Sequence, residues 1–164
     1  TLKTQSELVT VQDELGHVND YVTIQRIRFD NRFHLDLDIS SEYLDNKVLK
    51  LILQHLVETA LYHGLNYCTT GDTITIRAYT ENNCLMIDVH DNGQGMDIET
   101  LTKLQSSLME EASFTELGHR NKQSIGLKNI HSRIELYYGK GYGLTVTSIH
   151  GEWTNIQIRL PILK

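Results

Sequence analysis

Asp88-Val89-His90-Asp91-Asn92-Gly93-Gln94-Gly95-Met96 is the stretch whose reading decides the fold. It closes a strand, because Leu85, Ile87 and Val89 are apolar at period two, the mark of one buried face. The pattern then breaks at Asn92-Gly93, and a second glycine follows two residues later. As a turn, Asn92-Gly93 is the strongest short-range hairpin signal. As a site, Asp91 would accept hydrogen bonds from an amino group. Gly93 and Gly95 would let bare backbone approach a ligand and bend without steric cost. The stretch alone leaves both readings open, so the flanking chain has to choose.

A chain of 164 residues suggests one domain with a sizeable core, with room for a short appendage. The net charge of −6 argues against nucleic acid as the main partner, since phosphate backbones recruit basic surfaces. A local basic pocket for a nucleotide remains compatible with it. No apolar run approaches the ~20 residues that cross a bilayer, and Thr1 opens no signal-peptide pattern. No membrane contact by these residues is expected. The start at Thr1 suggests a piece of something longer. Cys68 and Cys84 are too few and isolated for a metal site or disulfide framework, so reduced thiols in a cytoplasmic setting are the expectation.

Upstream, Leu8, Val11, Leu15, Val18 and Val22 recur at spacings of three and four, an apolar stripe on a helix from about Glu7 to Arg28. So narrow a stripe resembles a coiled-coil seam. It is read as a connecting or dimer-forming helix packed on a partner chain, against the alternative that it lies on this domain's own core. Phe33, Leu35, Leu37 and Ile39 alternate with polar residues in a half-buried strand. Asp45-Asn46 supplies N-cap chemistry for a helix from about Lys47 to Leu65. On that helix Val48, Leu51, Ile52, His55, Thr59 and Tyr62 share one face. Polar residues embedded in it make this the first helix to search for a site.

Downstream, Ile74, Ile76 and Ala78 mark a strand, and Glu81-Asn82-Asn83 turns it back into Cys84–Asp91 as a hairpin. Ile98, Leu101, Leu104 and Leu108 suggest a short amphipathic helix. From about Met109 to Gln123 the chain is polar and aperiodic, the character of a functional lid or a loop. Leu127, Ile130, Ile134 and Tyr137 mark another helix, and two strands follow, with Leu144 and Val146 in one and Ile156, Ile158 and Leu160 in the other. The fold class is α/β in the α+β sense: a two-layer sandwich of a mixed, mostly antiparallel sheet with helices on one face.

Gly93–Gly95 and Gly126 each precede a helix, whose N-terminal amides and positive dipole end suit phosphate. No G-x-x-x-x-G-K loop or dinucleotide fingerprint is present. Asp91 for an adenine amino group, loop amides for phosphates and a carboxylate or amide for Mg²⁺ would make a coherent nucleotide site.

Three ordered stretches resemble the N-box, G1 box and G2 box of the GHKL (Bergerat-fold) ATPases. They are Leu53-Gln54-His55-Leu56-Val57-Glu58-Thr59-Ala60-Leu61-Tyr62-His63-Gly64, Asp91-Asn92-Gly93-Gln94-Gly95-Met96 and Ile125-Gly126-Leu127-Lys128-Asn129-Ile130. Nearly the whole chain, including Tyr21–Phe29 and Arg133–Gly139, is similar to the catalytic end of a sensor histidine kinase of the YesM/LytS type. The resemblance implies a Bergerat-type sandwich over residues 31–164, preceded at 1–30 by the end of a dimerisation or linker helix. It implies ATP and Mg²⁺ as ligands, with Asp91 on the adenine amino group and Gly93, Gly95 and Met96 shaping the pocket. Tyr62 and His63 in the N-box, and Ser124, Ile125, Gly126 and Leu127 in the G2 box, complete the implied nucleotide contacts. Glu58 and Thr59 are the implied catalytic and metal-holding pair. The full-length protein would be a homodimer that passes the γ-phosphoryl to a histidine on its own dimerisation helix, and thence to a response regulator. These residues would form the cytoplasmic domain of a membrane-anchored sensor.

Three positions depart from the family's pattern: Thr59 replaces the metal-holding asparagine, Tyr62 a basic residue and Ser124 a glycine. All three fall at the metal and phosphate end, whereas the adenine end is intact. Loss of one metal ligand would slow transfer by roughly 10²–10³-fold. A kinase domain, a degenerate nucleotide-binding regulatory module and a non-nucleotide interaction domain on the same fold are the three functions this sequence supports. The proline-flanked acceptor histidine is absent, since the one proline is Pro161.

Overall fold

The computed structural model describes residues 7–64, 72–110 and 122–164. The central part of the aperiodic segment read as a lid, residues 111–121, lies outside them, as do Cys68 and the loop at 69–71. In chain order the elements are β1 Leu8–Thr10, α1 Val11–Arg28, β2 Phe33–Asp38, β3 Lys47–Leu49, α2 Ile52–Thr59, a π-helical turn Ala60–Gly64, β4 Asp72–Glu81, β5 Cys84–Asp91, α3 Ile98–Met109, α4 Lys122–Tyr138, β6 Gly143–Ile149 and β7 Trp153–Pro161.

The main sheet has the order β2-β4-β5-β7-β6. All its pairings are antiparallel except β2 with β4, which makes it mixed as expected. Asn82 and Asn83 both have positive φ, the backbone a two-residue hairpin needs between β4 and β5. Ile74, Ile76, Ile87, Val89, Ile156 and Ile158 point inward at period two and meet Leu53, Leu56 and Val57 of α2, Leu104 and Leu108 of α3 and Ile134 of α4 in one hydrophobic cluster. Burying a side chain of this size is worth about 1.5–3 kcal/mol, so this layer contact is what holds the helices to the sheet.

Two boundaries differ from the pattern read in the sequence. The expected N-terminal helix starts at Val11, because Leu8–Thr10 pairs antiparallel with Lys47–Leu49 in a small second sheet. Thr10 then caps the helix: its side chain accepts from the Asp13 amide at 3.1 Å, and Asp13 accepts from the Thr10 amide at 3.3 Å. For the same reason the helix expected over 47–65 begins only at Ile52, where pairing with β1 ends.

The apolar stripe also corrects its expectation. Val11, Leu15, Val18 and Val22 are buried against this domain's own cluster rather than left for a partner chain. A narrow stripe suffices here because α1 lies against α2, one helix needing only one seam to pack on another. α1 and α2 run side by side in the same direction: Glu14 reaches Leu51 and Leu53, and further along Arg28 reaches Tyr62.

Candidate functional site

The inward register of β5 runs Leu85, Ile87, Val89 and ends on Asp91, which is 1 % exposed. Asn92 does not open a hairpin. Its amide donates to the Thr73 carbonyl at 3.3 Å and its side-chain oxygen accepts from the Thr73 amide at 2.7 Å. The chain therefore leaves the sheet still tied to β4 and passes over the mouth of the core toward α3. Asp91 Oδ1 accepts a hydrogen bond from the Gly93 amide at 3.0 Å. Burial pushes its carboxyl up to about 6 and the nearby Asp72 adds to that, while the Gly93 bond pulls the other way. A carboxylate has several lone pairs, and one that lines a cavity can accept from donors on a ligand.

The loop after Asp91 is held by the β6–β7 hairpin. Gly95 has φ +66°, and a Cβ there would overlap the Ile149 carbonyl, so both the conformation and the contact require glycine. The Gln94 carbonyl accepts from the Gly151 amide at 2.6 Å. The Met96 amide donates to Ser148 Oγ at 2.8 Å, and that hydroxyl donates to the Trp153 carbonyl and shares a 2.8 Å bond with Thr154 Oγ1. Asp97 then caps α3 by accepting from the Thr100 amide at 2.7 Å, a bond that holds its carboxyl below the usual range.

Asp91, Gly95, Met96, Asp97 and Thr154 line a cavity of about 270 Å³ whose far wall is Thr59 and Ala60 at the end of α2. Thr59 also borders a second cavity of about 330 Å³, with His55 and Glu58 from α2 facing Gly126, Asn129 and Arg133 from α4. The two form one groove from the sheet end to the gap between α2 and α4. Along α2 and the π-helical turn after it, the polar residues His55, Glu58, Thr59 and Tyr62 turn away from the core, while Leu53, Leu56, Val57, Ala60 and Leu61 are buried.

At this second end the polar groups already have partners. Thr59 Oγ1 donates to the His55 carbonyl at 3.0 Å, the backbone bond a helical threonine makes when nothing else claims it. Glu58 accepts from Gln54 Nε2 at 3.1 Å. Tyr62 accepts from Arg28 Nη1 at 3.1 Å, and the guanidinium sits 5.9 Å from the centroid of its ring. Lys128, 5 % exposed, donates to the Leu108 and Glu110 carbonyls at the end of α3, which ties α4 to α3.

A family described as histidine kinase-, DNA gyrase B-, and HSP90-like ATPases matches residues 44–164. The chain belongs to that ATPase family. It is 36% identical over 157 residues to "Sensor histidine kinase YesM" of Bacillus subtilis (strain 168), covering 96% of this chain and 24% of that protein. It is 32% identical over 162 residues to "Sensor protein kinase HptS" of Staphylococcus aureus (strain USA300), covering 99% of this chain and 30% of that one. The chain thus spans less than a third of the length of these curated relatives. Among solved structures, the histidine kinase AdeS of Acinetobacter baumannii superposes with a TM-score of 0.62 at 12% identity, over 95% of this chain and 66% of AdeS, a likeness of fold.

Within this ATPase frame, Asp91, Gly95, Met96 and Thr59 are brought together in one cavity, and Glu58 and Gly126 in the adjoining one. The Gly93 amide serves Asp91. Tyr62 lines neither cavity and points to Arg28, and Leu127 is buried in the core. His63 lies in the π-helical turn, and Ser124 and Ile125 in the first turns of α4. Thr154, opposite Asp91 in the β5–β7 register, was missed in the sequence. Its signal was available: Thr154 occupies the inward register of Ile156, Ile158 and Leu160, where a polar residue needs a reason.

The groove fits ATP with Mg²⁺ on the chemistry of its donors. A buried acceptor suits an exocyclic amino group, and one carboxylate beside one hydroxyl suits a cation that keeps several waters and uses substrate phosphates as its other ligands. Among the described residues no cluster of three or more His, Cys, Asp or Glu is placed to hold a metal unaided.

Proposed function

We propose that this domain binds ATP with Mg²⁺ and is the catalytic part of a sensor histidine kinase. The full-length protein passes the γ-phosphoryl to a histidine on its own dimerisation helix, and a response regulator takes it from there. The observation that carries the reading is Asp91: a buried carboxylate at the inward end of a strand, facing a cavity with acceptor capacity to spare.

In this reading the adenine amino group donates to Asp91, while the Asn92–Met96 backbone, fixed on the β6–β7 hairpin, forms one wall. The phosphates extend past Thr59 toward Gly126 at the N-terminal part of α4, where the helix dipole favours negative charge. Mg²⁺ would be held by Glu58 and Thr59 together with phosphate oxygens, and would supply neutralisation of the charge on the transferring group. What remains is positioning, the larger share of phosphoryl-transfer catalysis. Glu58 would orient the acceptor imidazole. Residues 1–30 would be the end of the dimerisation or linker region and 31–164 the ATP-binding domain, in a homodimeric, membrane-anchored protein whose kinase part is cytoplasmic. No helix among the described residues is long and apolar enough to cross a membrane.

A second reading has its own observations: Thr59 spends its hydroxyl proton on His55, and Tyr62 is engaged by Arg28. These favour a regulatory module that holds nucleotide and transfers nothing. Full-length protein given γ-labelled ATP and Mg²⁺ separates the two. Label retained on the chain supports the kinase. Bound nucleotide with no labelled chain, where a homologous kinase labels in parallel, supports the regulatory module.

A further inference from the structure

The turn that starts α2 is gripped from three sides. Glu14 of α1, 0 % exposed, accepts from the Leu51 amide at 2.6 Å and the Leu53 amide at 3.2 Å. Arg133 of α4 donates to the Lys50 carbonyl at 2.8 Å, and the Lys50 amide donates to the Glu7 carbonyl at 2.8 Å. Inside this grip Leu51 has φ +70°, a left-handed backbone that a residue with a γ-branched side chain avoids. Such a conformation persists only where its surroundings over-determine it, and those positions gather at functional sites and switches.

These contacts join α1, α2 and α4 at one turn. α2 carries Glu58 and Thr59, α4 carries Gly126, and Arg133 itself lines the groove between them. α1 follows β1 at the start of the described residues. Burial pushes the Glu14 carboxyl up, while the Leu51 and Leu53 amides, then His17 and Arg133, pull it back. A fully buried acid is costly to keep unless its bonds are needed.

We infer that Glu14 is a positioning residue for phosphoryl transfer: from α1 it fixes the first turn of α2, and with Arg133 it sets how α2 and α4 face each other across the phosphate end. The Asp91 end is built on the sheet and receives nothing from Glu14. Displacement of α1 would therefore change the alignment of Glu58, Thr59 and Gly126 while leaving adenine recognition in place. This inference rests on the nucleotide-binding reading proposed above.

The experiment uses the full-length protein and its Glu14→Gln variant, which retains shape and one acceptor but sets an N–H against one of the two amides. ADP affinity by calorimetry and kcat and KM for autophosphorylation are measured on each. The expected result is a fall in kcat of at least tenfold with ADP affinity within twofold of the parent. Adding Leu51→Gly should bring kcat back to within about threefold, because glycine adopts the left-handed turn without being held there. An unchanged kcat, an equal fall in kcat and ADP affinity (the outcome of general unfolding), or no recovery with Leu51→Gly would each overturn the inference. Failure of the underlying reading is distinguishable, since the parent protein would then bind no ADP or would bind ADP and label no chain.

Discussion

At the Asp91 end of the groove, the polar groups sit on strands or on a loop sewn to a strand, across from the end of α2. At the Glu58–Thr59 end, the walls are the outward faces of two helices. Asp91, Met96 and Thr154 are buried; the neighbouring Asn92 amide bonds the Thr73 carbonyl of β4, and the Met96 amide and Thr154 Oγ1 both meet the Ser148 hydroxyl of β6. Glu58, Thr59 and Tyr62 are partly exposed, and their polar atoms bond within α2 or to α1. The first end is rigid because sheet register leaves its groups one place to be. The second can be altered by moving a helix or exchanging a side chain. Departures from the family pattern can therefore collect at the second end without unfolding the first.

The largest test of this contrast is Gly95→Ala. The added Cβ meets the Ile149 carbonyl in a left-handed backbone, so urea denaturation should show a loss of about 3 kcal/mol, together with loss of nucleotide binding. A loss under 1 kcal/mol would show that the loop is not seated as described. Next comes Asp91→Asn, which presents an N–H₂ group toward the ligand and removes a charge-assisted bond worth about 1.5–3 kcal/mol. ADP affinity should fall by roughly 10- to 100-fold. Thermal stability at pH 7.5 should hold or rise, because the buried charge is gone.

The pH effect is smaller. The pKa of Asp91 in the fold is raised, so its ionised form is disfavoured there. The fold alone therefore loses stability as pH rises from about 4 toward about 6, and no further above that. A ligand donor favours the ionised form, so ADP affinity should run the opposite way, falling about tenfold between pH 7 and pH 5. Calorimetry across that range should show the step in the parent and not in Asp91→Asn.

At the helical end effects should be gentler. Thr59→Asn should raise the Mg²⁺ dependence of ATP binding several-fold, a change read by titrating ATP with and without Mg²⁺. No change would count against Thr59 as a metal-holding position. Tyr62→Phe, which removes only an exposed bond to Arg28, should alter stability by less than about 0.5 kcal/mol by thermal denaturation.

The same contrast explains what was legible in the sequence. Period-two runs such as Leu85-Ile87-Val89 and Ile156-Ile158-Leu160 gave the strands and, through the Asn82-Asn83 turn, one hairpin. Asp91 could be read because it ends such a run. β1 and β3 are three residues each, too short to carry a period, so their pairing was taken for the ends of helices. The stripe on α1 was clear, but a periodic pattern shows that a face is covered without naming what covers it. Links such as Glu14 to Leu51 or Arg28 to Tyr62 join residues more than thirty positions apart, and no local pattern encodes them.

The seating of the Gln94–Met96 backbone on Ser148, Ile149 and Gly151 has a consequence for how the protein is made. A ribosome delivers Asp91 and its glycines more than fifty residues before the hairpin that supports them. β7 must then pair directly alongside β5, its neighbour on one side. Until that pairing forms, the loop after Asp91 is finished in sequence and without its support. Nucleotide affinity should therefore arise late and all at once, and trimming the chain back past Thr154 should abolish it although every residue of the loop is still present.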